Sequence, residues 1–356
     1  ENGSSSLQYD NATKLATTAT GADITGTLTT DGLTVAGNVS VDGGTIKLDG
    51  NYPTGTGNVA LGNTALDDGS LSGNYNIAIG NEALTANTSG SVNVAVGQGT
   101  LFVNTTGQEN VAVGGNAMAD NTTGNYNTAI GRAALADNTT ASNNTAVGYQ
   151  AAYSNSTGSY ITSVGYQALY SNTANNADAF GYTALKNNTT GTDNVGLGKQ
   201  GLFTNTTGAS NTSVGSGTMY SNSTGSSNTA IGRSALRSNT TASSNTAVGY
   251  AALYDNTTGV NNVAVGYLAL ENNTTGVNNA ALGFGAQGSN TTGANNVSLG
   301  LNTLRLNTAG NENTAIGTGA LDANTGSSNT AVGRSALVSN TTASNNTAVG
   351  YVAGYS

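Results

Sequence analysis

Tyrosine returns to two fixed places along this chain. Tyr149, Tyr166, Tyr182, Tyr250, Tyr267 and Tyr351 each follow a glycine, and Tyr153, Tyr170 and Tyr254 stand four residues further on. A phenol ring has an apolar face and a hydroxyl, so an exposed row suits stacking on sugar rings. The same spacing suits a row in which each ring packs only on the next. Tyr149, Tyr153, Tyr166, Tyr170 and Tyr182 are the candidate glycan contacts. Asp67 and Asp68 form an acidic pair in a bend; without a second pair or a GGxGxD run they read as solvated rather than as calcium ligands. Many Asn-x-Thr triplets match the N-glycosylation acceptor, and the same triplets serve as turn chemistry. The eighteen acidic residues fall at unrelated positions, which argues against a hydrolase dyad.

Composition narrows the chemistry further. The 356 residues carry a formal net charge of −9, 51 glycines, one proline (Pro53), and no His, Cys or Trp. An imidazole base, a thiolate nucleophile, a His or Cys zinc site and a disulfide framework are therefore all excluded. No catalytic residue, metal or cofactor is expected, and the chain reads as a non-enzyme. Nine scattered Lys and Arg make no basic stripe for phosphates, so nucleic acid is not an expected partner. No apolar run is long enough to insert in a membrane. The start at Glu1 lacks the pattern of a signal peptide, so the sequence is read as processed or as a fragment.

The elements that position these residues follow from one repeated phrase, N-x-A-V-G. Its closing glycines are Gly62, 80, 97, 114, 131, 148, 165, 181, 198, 215, 232, 249, 266, 283, 300, 317, 333 and 350, spaced seventeen apart with one eighteen and two sixteens. So short a period predicts a solenoid, in which each coil buries its face only against its neighbours. Helix is not expected, because Gly, Asn and Thr dominate and the apolar period is not 3.6. Three regions are expected: a connector over 1–20, short strand and turn repeats over 21–54, and a β-solenoid over 55–356.

Within a coil, the residue before the glycine is always apolar, from Leu61 to Val349, and the one before that is Ala, Ser or, once, Gly196. Adjacent strand residues face opposite ways. The apolar column, Val248 included, is expected inside. The small column is expected against another backbone, which makes Ala129, Ala146, Ala230 and Ala247 the candidate contacts of a homotrimer. The thin supply of apolar side chains supports shared burial, since ordering each residue costs about 1–2 kcal/mol. The apolar pair three and four residues after the glycine, as at Ala134-Leu135, predicts a second short strand, followed by a turn that often reads Asn-Thr-Thr-Gly. The Asn four before the glycine predicts an amide ladder along the axis.

The phrases NTAIGRAAL (127–135), NTAVGYQAA (144–152) and NTAVGYAAL (245–253) resemble the head repeats of trimeric autotransporter adhesins. That resemblance covers about residues 55–356 and implies a left-handed parallel β-roll, intertwined as a trimer, that binds extracellular matrix or host surfaces. The coil here is longer than that family's head repeat. The stretch LQYDNATKLATTATGADITGTLTTDGLTVAGNVSVDGGTIKLDG (7–50) resembles the segment before the shaft in tail fibres of marine bacteriophages, and no stalk heptads or anchor of an autotransporter follow. The expected function is a structural fibre of a virion or other surface filament supporting host attachment, about 80–90 Å long if the coils stack directly. An adhesin head binding a host glycan or surface protein is the alternative. An ice-binding solenoid is the third reading; Val94, Val111, Val195 and Val263 interrupt its threonine column.

Overall fold

The computed structural model describes residues 6–9, 12–18, 21–24 and 55–355. The chain divides into two compact units, Glu1–Leu48 and Asp49–Ser356. In the first, β1 (Ser6–Tyr9), β2 (Ala12–Thr18) and β3 (Gly21–Ile24) form an antiparallel meander. The segment expected as a connector therefore carries two strands. Beyond Ile24, the strand and turn repeats expected up to residue 54 lie outside the described residues.

The second unit is an all-β parallel solenoid, with no helix among the described residues. Eighteen three-residue strands, from β4 (Val59–Leu61) to β21 (Thr347–Val349), follow at one per coil. Each pairs in register with the next, so that Ala129 lies opposite Ala146 and Ala230 opposite Ala247. Among the described residues no pairing joins β21 to β4, and the sheet is an open stack rather than a barrel. The glycine that closes each strand permits this stacking: Gly148 has φ +136°, and a Cβ on it would lie 2.5 Å from the Gly165 carbonyl oxygen.

The two faces of the strands are the reverse of the sequence expectation. Ala129, Ala146, Ala230 and Ala247 are fully buried inside their own chain, leaving no side-chain surface for a second one. Their neighbours face out and are only partly covered, as Thr246 and Val248 are. Gly196 shows why: a Cβ there would meet Leu185 Cγ and Cδ1 at 3.2 Å. The small column does mark a close approach, but what approaches is the opposite wall of the same coil. Where serine takes the column it stays satisfied, with Ser163 Oγ donating to the Ala168 carbonyl at 2.8 Å.

The half-coil expected as a second strand is a run of turns. Ala133 and Leu135 have φ of 56° and 50°, and the Ala134 N–H donates back to the Gly131 carbonyl at 3.2 Å. A strand would have turned one of Ala134 and Leu135 outward; here both are fully buried. Holding a leucine in the left-handed region costs about 1–2 kcal/mol, and burying its side chain contributes about 1.5–3 kcal/mol. Burial wins by a narrow margin, which keeps Leu or Met at this place in most coils.

Candidate functional site

The buried asparagines form two amide ladders. The first is the expected one: Asn93 Nδ2 donates to Asn76 Oδ1 at 3.2 Å and to the Gly107 carbonyl at 2.8 Å, and Asn76 Oδ1 also accepts the Asn93 N–H at 2.9 Å. Ile161 and Ala177 interrupt it in two successive coils. The second ladder uses the first residue of the Asn-Thr-Thr-Gly turn and was missed from sequence: Asn121 Nδ2 donates to Asn104 Oδ1 at 2.7 Å and to the Gly124 carbonyl at 3.2 Å. Its signal in the sequence is an Asn at one fixed place in the turn, where Asn also favours the bend itself. These turn asparagines are buried, so in the folded chain their amides belong to the ladder and are not surface acceptors for glycan.

The tyrosine rows lie on the outside as stacks. Tyr149 and Tyr166 have centroids 5.4 Å apart, Tyr166 and Tyr182 5.3 Å, and Tyr153 and Tyr170 5.2 Å, with planes within 14° of parallel. Tyr250, Tyr267 and Phe284 repeat the arrangement, as do Phe203 and Tyr220. Cations extend the second row: Lys186 Nζ sits 5.7 Å from the Tyr170 centroid and Arg237 5.1 Å from that of Tyr220. Of the five candidate glycan contacts, Tyr149, Tyr166 and Tyr182 form one stack, and Tyr153 and Tyr170 another. A ring in mid-stack has both faces against neighbours and offers solvent its edge and hydroxyl, so Tyr166 has no bare face to give a sugar.

Apart from Tyr351 and Tyr355 in the last coil, the most exposed aromatic rings of the solenoid stand elsewhere. Tyr75, Tyr126 and Tyr160, five residues before the coil glycine, belong to neither stacked row and were not singled out from sequence. The recurrence of that position was the available signal.

Several described acidic residues take their charge behaviour from near neighbours. Asp68 accepts the Ser70 N–H at 2.8 Å and also its hydroxyl, and both bonds hold its carboxyl below the usual range. Burial, then the Asp120 carboxylate on the neighbouring coil, push the Asp137 carboxyl up. Burial, then Asp255, do the same to Glu271. Asp137 in turn raises the phenol of Tyr153. Arg305 and Asp322 pair on successive coils through two bonds, at 2.9 and 3.3 Å. Among the described residues no three acidic side chains converge on a point that could hold a metal ion. Open hollows of about 300 and 500 Å³ lie at the two ends of the stack, by Ala60 and Asp67 and by Leu337 and Ala348. No family model matches the chain, and comparison with curated proteins and with solved structures returns no match.

Proposed function

We propose that the chain is the shaft of a surface fibre, with a phage tail fibre favoured, and that its copies associate as a homotrimer outside the cell or on a virion to support host attachment. The observation that carries this reading is the outward column of the strands: from Leu61 to Val349 the third residue is apolar in all eighteen, and none is fully buried. Eighteen rungs at about 4.8 Å, on strands about 10 Å wide, give roughly 800 Å² per chain, the size of one side of a standard protein interface. A face of that extent carrying an unbroken, partly exposed apolar column fits a contact site. The copies would meet through Val248 and its column rather than through the alanines. The resemblance of residues 7–50 to phage fibres favours a virion over a bacterial adhesin. Electron micrographs of the purified chain test the shaft: straight particles of about 80–90 Å support it, and compact particles sink it.

The adhesin reading, with a host glycan or surface protein as partner, is favoured where the segment alone binds cells saturably. The ice-binding reading draws on threonines that face out in runs, such as Thr128, Thr145 and Thr162. Thermal hysteresis in the purified protein is its test.

A further inference from the structure

We propose that Tyr126, Asn143 and Tyr160 form a slot one ring wide that holds a pyranose ring of a glycan. The three residues occupy the same position on three successive coils, each five before the coil glycine. They share one backbone conformation, with φ of 58°, 62° and 60°. That left-handed region suits Asn and is unfavourable for a bulky ring, and the same position elsewhere is mostly Asn, Asp or Ser. The coil does not require tyrosine there, and among the described residues neither ring belongs to a stacked aromatic pair.

Tyr126 and Tyr160 are 56% and 64% exposed, more than the stacked Tyr149, Tyr166 and Tyr182 at 38%, 43% and 51%. Their row neighbours Glu109, Asn143 and Asn176 carry no ring. Among the described residues no hydrogen bond engages the side-chain amide of Asn143 or either tyrosine hydroxyl, while the Asn143 backbone N–H donates to the Asn125 carbonyl at 3.0 Å.

Spacing decides what fits. Two rungs separate the tyrosines by about 10 Å. A flat ring over the short side chain of Asn143 would sit about 5 Å from each, within the 4.5–7 Å of favourable ring contacts. Elsewhere on this solenoid that middle place is filled by protein, as Tyr166 fills it between Tyr149 and Tyr182 at 5.4 and 5.3 Å. Here no ring fills the middle place, and the exposed Asn143 occupies that rung. A pyranose matches both features, with C–H faces for the rings and hydroxyls for the amide. The proposal rests on the reading of the chain as an attachment fibre.

The test is saturation-transfer NMR on the full chain with the methyl glycosides of glucose, galactose, mannose and N-acetylglucosamine. At least one should receive transfer at its ring C–H protons. The signal should weaken about fivefold in Tyr126→Ser and in Tyr160→Ser, in line with the loss of one ring contact. It should vanish in Asn143→Tyr, which fills the slot with a third ring, and persist in Tyr149→Ser. Transfer from none of the four sugars, or transfer that survives both tyrosine changes, overturns the slot. So does a change of particle mass in Tyr160→Ser, which would place the ring between copies. A rod of unchanged length and mass that takes no sugar sinks the slot alone and leaves the fibre reading standing.

Discussion

Asn211 Oδ1 accepts both the backbone N–H and the side-chain amide of Asn228, at 3.0 and 3.1 Å, inside a fully buried ladder. Asn211 Nδ2 in turn holds the Gly225 carbonyl at 2.9 Å. Asn211→Ala orphans the buried Asn228 N–H and one of the two bonds of the Asn228 amide, which keeps the Ala242 carbonyl, while the Gly225 carbonyl keeps Asn222 Nδ2 at 2.9 Å; each lost partner costs about 1–3 kcal/mol where water does not reach. Urea unfolding should show a loss of a few kcal/mol. Asn278→Ala removes similar bonds to Asn261 and Asn295 on the exposed surface; water replaces them, and the loss should be limited to about 1 kcal/mol, the cost of holding alanine at φ 58°.

The orientation of the strands predicts opposite outcomes at adjacent residues. Ala247 lies in a closed interior, so Ala247→Leu should destabilise by about 1–3 kcal/mol through overpacking. Val248 faces out, so Val248→Asp should leave each chain folded by circular dichroism while lowering the assembly's mass. Unfolding of the single chain by Val248→Asp would mean that this column is interior after all.

Gln287 predicts a stabilising change. It occupies the column that holds Leu in most coils, and its Nε2 donates to Ser298 Oγ at 2.9 Å and the Ala280 carbonyl at 3.1 Å, while its Oε1 is buried with no partner. The apolar core ends at Ala286 and resumes at Leu304. Gln287→Leu removes the orphaned oxygen and joins the two stretches. Calorimetry should show the C-terminal coils melting separately in the parent, and one higher transition in the variant; a lower melting temperature would contradict this.

Asp137 predicts a pH effect with a definite sign. Its folded pKa is raised by burial and by Asp120, so the fold disfavours its charge. Stability from this site is greatest below the ordinary carboxylate range and falls as pH rises through the folded pKa. Asp137→Asn should therefore raise the melting temperature at pH 7, and the gain should disappear near pH 3. A gain that persists unchanged in acid would assign the effect to something other than charge.

Features repeated in a fixed column were legible in the sequence: the seventeen-residue period, the one-strand phrase, the Asn76–Asn93 ladder and the stacking of Tyr149 on Tyr166. What was not legible depends on the residue across the coil. Alternation separates Ala247 from Val248 but does not say which is inside; Leu185, opposite Gly196, does. The missing second strand lies in the left-handed conformation of Leu135, which leucine avoids in isolation and adopts here because burial outweighs the cost. The two aromatic triplets also resist one explanation. Tyr166 and Tyr182 follow the interrupted rungs at Ile161 and Ala177, whereas Tyr267 stands over an intact one at Asn262.

The central claim is that these coils form a rod whose outward apolar column is closed by further copies of the chain. Light scattering of the purified full chain at micromolar concentration tests it most directly. The account predicts the mass of three chains, reduced to that of one in a folded Val248→Asp variant. A parent chain that is stably folded with the mass of a single copy would contradict it.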